Sequence, residues 1–279
     1  MKIVRYIGSI AALAILLVGF AGSFVLAATP VEDVIFIPSK HDSTISFETT
    51  VFAPKDAQDP TAPIVIINHG TSPKGQQGRE RAITASTFFT DHGCIVMLPM
   101  RRGYSRSRGE RVKIMGCNLA NYGLANAEDI ADVVDWIKTQ PQYKNRKIIM
   151  IGQSTGGLAT MAYSSLPTKV DAIINFHGGV RATFAGDCKW EARIDAFTEY
   201  AKTSSPPSLW IYTANDHSSN PAYITKLYKA FTDAGGKATL HQLPAFEDDG
   251  HYLFSKESGA PIWQPLVTEY LKKMGIKNF

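Results

Sequence analysis

Short, unbroken apolar runs recur along this chain, separated by stretches whose apolar residues fall at helical spacing. Ile64 to Ile67, Cys94 to Leu98 and Ile148 to Ile151 are such runs, and Ala172 to Phe176 and Leu209 to Thr213 are strand-like runs broken only by Asn175 and Thr213. Each has the length and composition of a strand buried on both faces of a sheet. Between them, Arg79 to His92 predicts a helix, and Ala127, Ile130, Val134 and Ile137 mark one face of another. Glu128 and Asp129 stand early in that second helix and Lys138 late, which suits the helix dipole. Further helices are predicted near 221–234 and 262–273, and a strand over Ala238 to Leu243. Two strands open the series, Val34 to Ile37 and Ile45 to Phe52. The second alternates apolar and polar residues, the pattern of a half-exposed antiparallel strand. Two early strands followed by repeated strand–helix units predict an α/β domain. Its sheet is expected to be mostly parallel and eight-stranded, with helices on both faces.

The N-terminus breaks this rhythm. Lys2 and Arg5 precede an uncharged apolar run from Ile7 to Ala28, and Thr29-Pro30-Val31-Glu32-Asp33 then turns polar. Val25-Leu26-Ala27 presents the small or β-branched residues that a signal peptidase inspects, so residues 1–27 are expected to be a signal peptide and 28–279 a single domain. The alternative is an uncleaved membrane anchor, because the run is long enough to span a bilayer. Either reading puts the folded part outside the cytoplasm, periplasmic or secreted, with no stable membrane association once the leader is cut. The net charge is +4, of which Lys2 and Arg5 supply two units. What remains is nearly neutral and has no basic block, which argues against nucleic-acid binding. Cys117 and Cys188 fall in loops that leave the same edge of the sheet, and in an oxidising compartment they are expected to form a disulfide. Cys94 begins a buried strand and is expected to be an inert thiol.

The chemistry centres on Gly152-Gln153-Ser154-Thr155-Gly156, which sits between the strand ending at Ile151 and a helix of small residues from Leu158. Glycines at this spacing permit a strand-to-helix turn tight enough to lift a serine hydroxyl above the sheet edge. A nucleophilic serine needs a base, an acid to orient that base, and donors for the developing oxyanion. In a parallel sheet these come from loops at the carboxyl ends of strands. Asp216 follows the strand Leu209 to Thr213, and His251 follows the strand Ala238 to Leu243, giving the chain order Ser154, Asp216, His251. His177 and His217 are rivals by position, and His241 lies within a strand pattern where packing is expected. Asp248 and Asp249 would serve only by folding back, or as part of a metal site with His251, for which no second histidine stands at ligand spacing. No metal or other cofactor is expected. The oxyanion donors are expected to be the N–H of Thr155, at the helix start, and that of Thr71, with Gly70 as the alternative. His69 is expected to bond its own loop.

These residues carry a resemblance. Asn68-His69-Gly70, the turn from Pro99 to Gly109, the Ser154 motif, Leu209 to Asp216 and Asp249-Gly250-His251 resemble the α/β-hydrolase superfamily, nearest the dienelactone hydrolase and small esterase group. The resemblance runs from about Val34 to Leu271. It implies an α/β-hydrolase fold and acyl transfer to Ser154 followed by hydrolysis of a small-molecule ester or amide. Dienelactone hydrolases proper carry cysteine as nucleophile, so serine here makes a plain ester or amide as good a substrate as a lactone. Between the strands at 172–176 and 209–213 there is room for one helix, near Cys188 to Lys202, hence a minimal lid and an open site. Arg101 and Arg102 follow a strand end, where a guanidinium suits a substrate carboxylate or an ion pair within the loop; Arg102 and Tyr104 are the expected substrate contacts. Trp190 and Phe184 are further candidates for an acyl pocket. A peptidase or acyltransferase would use the same residues, and a non-catalytic binding protein would be expected to lack one of the three.

Overall fold

The computed structural model describes residues 30–54, 59–72, 77–167, 169–180, 188 and 190–279. The apolar N-terminal run and Phe184 lie outside the described residues. Eight strands form one sheet: β1 (Val31–Pro38), β2 (Ser46–Ala53), β3 (Ile64–Asn68), β4 (Ile95–Pro99), β5 (Ile148–Gln153), β6 (Ala172–Phe176), β7 (Ser208–Thr213) and β8 (Ala238–Leu243). Their order across the sheet is β1-β2-β4-β3-β5-β6-β7-β8. β2 runs antiparallel to β1 and to β4, and every other neighbouring pair is parallel. The described helices are α1 (Ile83–Asp91), α2 (Leu119–Thr139), α3 (Thr155–Tyr163), α4 (Glu191–Ala201), α5 (Pro221–Asp233) and α6 (Ala260–Lys273).

The unbroken apolar runs have a direct cause. Side chains alternate across a strand, and both faces of this sheet are covered. Ile148 and Met150 of β5 join a core with Ile130 and Val134 of α2, Phe197 of α4 and Phe231 of α5. Ile149 and Ile151 join the opposite core with Phe88 and Phe89 of α1 and Trp263, Val267 and Leu271 of α6. Both sets on β5 are apolar, and the polar residues of this strand stand at its end, at Gln153 and Ser154. Among the described residues, no helix is long and apolar enough to cross a membrane.

Two elements differ from the sequence reading. β2 is not half-exposed: Glu48, Thr49 and Thr50 are all buried. The turn after β4 and the segment before α1 cover it, and its polar residues are satisfied there. Glu48 accepts from the Arg106 N–H (2.9 Å) and Nε (2.8 Å), while the Thr50 hydroxyl donates to the Glu80 carbonyl (2.8 Å). Polar alternation here marks a buried polar seam, not solvent. The first helix also begins late, at Ile83 instead of Arg79. The Glu80 carboxylate takes the N–H groups of Arg81 (3.1 Å) and Ala82 (2.9 Å), Ala82 is left-handed (φ 39°), and Arg79 reaches away to Glu32 (2.7 Å). Side-chain competition for backbone donors thus holds this stretch out of the helix.

Cys117 and Cys188 are joined in a disulfide, with Cα atoms 5.2 Å apart. It ties the turn before α2 to the segment before α4 across a sequence separation of 71 residues. A bridge of this kind stabilises by about 2–4 kcal/mol. Cys94 is buried, which pushes its thiol up to about 12. Thiol titration of the unreduced protein is therefore expected to find no reactive thiol when folded and one, Cys94, in denaturant. Three thiols in denaturant would show the bridge absent.

Candidate active site

β5 enters α3 through Ser154, whose backbone adopts φ 56° and ψ −124°. A non-glycine residue in this region is strained, and the surroundings hold it there. The Ser154 N–H donates to the Phe176 carbonyl (3.0 Å), and its own carbonyl accepts from Leu158 (3.0 Å) and Gly179 (3.0 Å). A Cβ on Gly156 would stand 2.2 Å from the Asn68 carbonyl oxygen, and one on Gly152 would stand 2.4 Å from that of Gly156. Glycine at both positions is what allows β3, β5 and α3 to meet so closely.

Ser154 and His251 line one cavity of about 380 Å³ together with Gly70, Thr71, Ser72, Gln77, Glu80, Gln153, Tyr252 and Ser255. None of these lining side chains is aliphatic. The His251 Nδ1–H donates to Asp216 Oδ1 (3.1 Å), a pair that is buried on both sides. That bond places the proton on Nδ1 and leaves Nε2 as the acceptor nitrogen. Asp216 is further held by the Ser218 N–H (2.7 Å) and the Ser219 hydroxyl (3.1 Å). Burial opposes the ionisation of Asp216. The hydrogen bonds from His251 and the Ser218 N–H outweigh it, helped by the positive charge either imidazole takes on when protonated, so the carboxyl lies well below the usual range.

The turn that carries His251 is clamped by residues that the sequence reading passed over. Asn215 donates to the carbonyls of Phe246 (3.2 Å) and Glu247 (2.8 Å), and its side-chain oxygen accepts the Phe246 N–H (2.9 Å). Gln153 donates to the His251 carbonyl (3.0 Å). Their partners are main-chain groups, which leave no residue-type signal; adjacency to Asp216 and Ser154 is the sole hint. Asp249 accepts the N–H groups of His251 (3.0 Å) and His217 (3.2 Å), so it shapes the turn, and Asp248 is exposed.

The Thr71 and Thr155 hydroxyls meet at 2.9 Å, and Thr71 also meets the Tyr104 hydroxyl at 3.0 Å. Tyr104 is thus buried behind Thr71 and does not line the cavity. Arg102 does not line it either: Asp129 holds its N–H (2.8 Å) and Nε (2.6 Å), with Glu128 at 3.4 Å. The ion pair within the loop occupies the guanidinium that a substrate carboxylate would need. His69 is buried, donating from Nδ1 to the Gly70 carbonyl (2.7 Å) and accepting the Arg101 N–H at Nε2 (3.1 Å). Burial, then the Arg101 charge, hold it neutral far below its ordinary range. His177 Nε2 accepts the Thr213 N–H (3.1 Å), and burial takes this imidazole down to about 3 despite nearby Asp216. His217 is largely exposed beside Asp249, and Trp190 packs on Tyr223 with ring centroids 4.5 Å apart.

The fold is shared with solved hydrolases. The chain superposes on a Pyrococcus furiosus esterase with a TM-score of 0.64 at 15% identity, covering 88% of this chain and 90% of that one. For Est1E of Butyrivibrio proteoclasticus, solved with ferulic acid, the values are 0.62, 17%, 87% and 100%. For an acylaminoacyl peptidase of Pyrococcus horikoshii they are 0.66, 18%, 88% and 41% of that longer chain. At these identities the likeness shows the fold alone. No match is found among curated protein sequences. At the level of sequence families, residues 47–273 match the dienelactone hydrolase family, and with most of its length matched this chain belongs to that family.

Proposed function

We propose that this protein is an exported serine hydrolase that cleaves an ester of a small or soluble substrate through an acyl-enzyme on Ser154. The observation that carries this reading is the buried Asp216–His251 hydrogen bond opening onto the same cavity as a serine held on a strained strand-to-helix turn. Ser154 Oγ attacks the acyl carbon while His251 Nε2 takes its proton. Asp216, kept ionised, orients the imidazole and stabilises its cation. The N–H groups of Thr155, the first residue of α3, and Thr71 receive the oxyanion. Collapse returns the proton from His251 to the leaving alcohol, and water reverses the sequence to free the acid.

Two features bear on the substrate and the compartment. A cavity of about 380 Å³ supports a small acyl group, with the Tyr252 ring and the Gln77, Glu80 and Gln153 side chains in its wall. The Cys117–Cys188 bridge, together with the leader-like N-terminus, supports an oxidising compartment. An amide would be cleaved by the same groups with the amine as leaving group, and a panel of chromogenic esters beside an aminoacyl amide separates the two.

A fluorophosphonate is expected to label Ser154 alone and abolish turnover. Ser154→Ala and His251→Ala are each expected to lower kcat by about 10⁴–10⁶, and the double variant hardly further, because the groups act as a unit. Asp216→Asn should cost about 10⁴ with the fold intact. Near-normal esterase activity in Ser154→Ala would refute the mechanism.

The buried neutral histidines set a lower pH limit for any assay. Unfolded His177 takes up a proton below its ordinary 6.5, whereas folded His177 does so only near 3. Its contribution to stability is complete above 6.5 and is lost as pH falls towards 3, by about 1.4 kcal/mol per pH unit. Asp216 acts with the same sign below the ordinary carboxyl value of 3.8. Urea midpoints at pH 7 and pH 5 should therefore differ less in His177→Gln than in the parent; equal differences would show that His177 is not held neutral.

A further inference from the structure

Arg101 is 2% exposed, and the hydrogen bonds of its side chain go to neutral oxygens. NH1 donates to the His69 carbonyl (2.8 Å), NH2 donates to the Thr155 hydroxyl (3.2 Å), and Nε has no partner among the described residues. Asp129, the buried acid beside this turn, is engaged by Arg102 instead. Burying a cation without a carboxylate is costly, so its location is informative. Both of its acceptors belong to the two chain segments that would bind the oxyanion.

We infer that Arg101 is a positioning residue for the oxyanion site, holding the Thr71 and Thr155 arms together and supplying positive charge behind them. This rests on the serine-hydrolase reading above. Three contacts convey the effect. The Arg101 backbone N–H on His69 Nε2 puts the His69 proton on Nδ1, which then bonds the Gly70 carbonyl. In a trans peptide the C=O and the following N–H point in opposite directions. With its carbonyl tied to His69, the Gly70–Thr71 peptide therefore turns the Thr71 N–H to the other side. Meanwhile NH1 secures the preceding carbonyl, and NH2 polarises a chain from Thr155 to Thr71 to Tyr104 that links the two arms side chain to side chain. The same charge helps keep His69 neutral, as its acceptor role requires. In a site of low dielectric, the counter-charge for this cation forms when the tetrahedral intermediate does.

The test compares Arg101→Gln and Arg101→Lys with the parent in kcat, KM, thermal midpoint and affinity for an arylboronic acid, which becomes a tetrahedral anion on Ser154. Folded Arg101→Gln is expected to lose about 10²-fold in kcat and in boronate affinity, with KM changed less than about threefold. Arg101→Lys keeps the charge but not the two-armed grip, and should recover about tenfold of that loss. Equal defects in both variants, or losses that follow the thermal midpoint, would reduce Arg101 to a packing role, and parental kcat and boronate affinity in either folded variant would overturn the inference. Should Arg101→Gln not fold, Arg101→Lys decides alone: a selective loss of kcat and boronate affinity at unchanged KM supports it, and parental values refute it. If the parent is neither labelled by a fluorophosphonate nor active on esters, the serine-hydrolase reading itself has failed and the Arg101 role falls with it.

Discussion

Close approach of three backbones at the end of β5 governs this structure. β3, β5 and the start of α3 meet where Gly156 lies against the carbonyls of Asn68 and His69. The amide of Asn68 reaches across to the Thr160 hydroxyl at 2.8 Å and locks the helix to the neighbouring strand. Widening this contact by one methyl group would move the Ser154 turn, the segment from His69 to Thr71 and the helix start together, because all three share it. Both faces of β5 are sealed by apolar side chains, so the strain at Ser154 has no route of relaxation into the core.

Around that junction the protein keeps several ionisable groups out of water, and their states depend on one another. His69 and His177 are neutral because burial disfavours the imidazolium, and each uses its unprotonated nitrogen to accept a backbone N–H. Asp216 stays ionised through donors that outweigh its burial. The Arg101 side chain is buried with neutral oxygens as its hydrogen-bond acceptors. These buried polar groups make a network in which the neutral members are scaffold, and the charged ones sit where the proposed reaction develops charge.

The walls of the site are braced from both sides. The Asp216 and His251 turns are cross-braced by Asn215, Asp249 and Gln153, and the opposite wall is braced by Tyr104 and Arg101. The disulfide acts at one remove, fastening the segment before α4 to the turn before α2. Its contribution is to limit how far the chain around α4 can depart from the body of the domain, not to place any reacting atom.

Much of this was legible in the sequence because it depends on local periodicity and chain order. Continuous apolar runs mean strands sealed on both faces, and all eight strands were placed within a few residues. A Gly-x-Ser-x-Gly turn and acidic and histidine residues after later strands must converge on one sheet edge, and the fold brings Ser154, Asp216 and His251 to that edge. Cys117 and Cys188 were paired on the same reasoning. The sequence misread β2, because a polar residue pointing into a buried seam looks like one pointing at water until the covering turn is in place. It extended α1 through Arg79–Ala82, where the Glu80 carboxylate competes for the backbone. It offered Arg102 as a substrate contact, since spacing cannot show that Asp129 lies within reach across the turn. Only the tertiary structure decided which of two adjacent arginines faces its acid and which lies buried behind Thr71 and Thr155, because that choice depends on contacts between residues 26 to 54 positions apart.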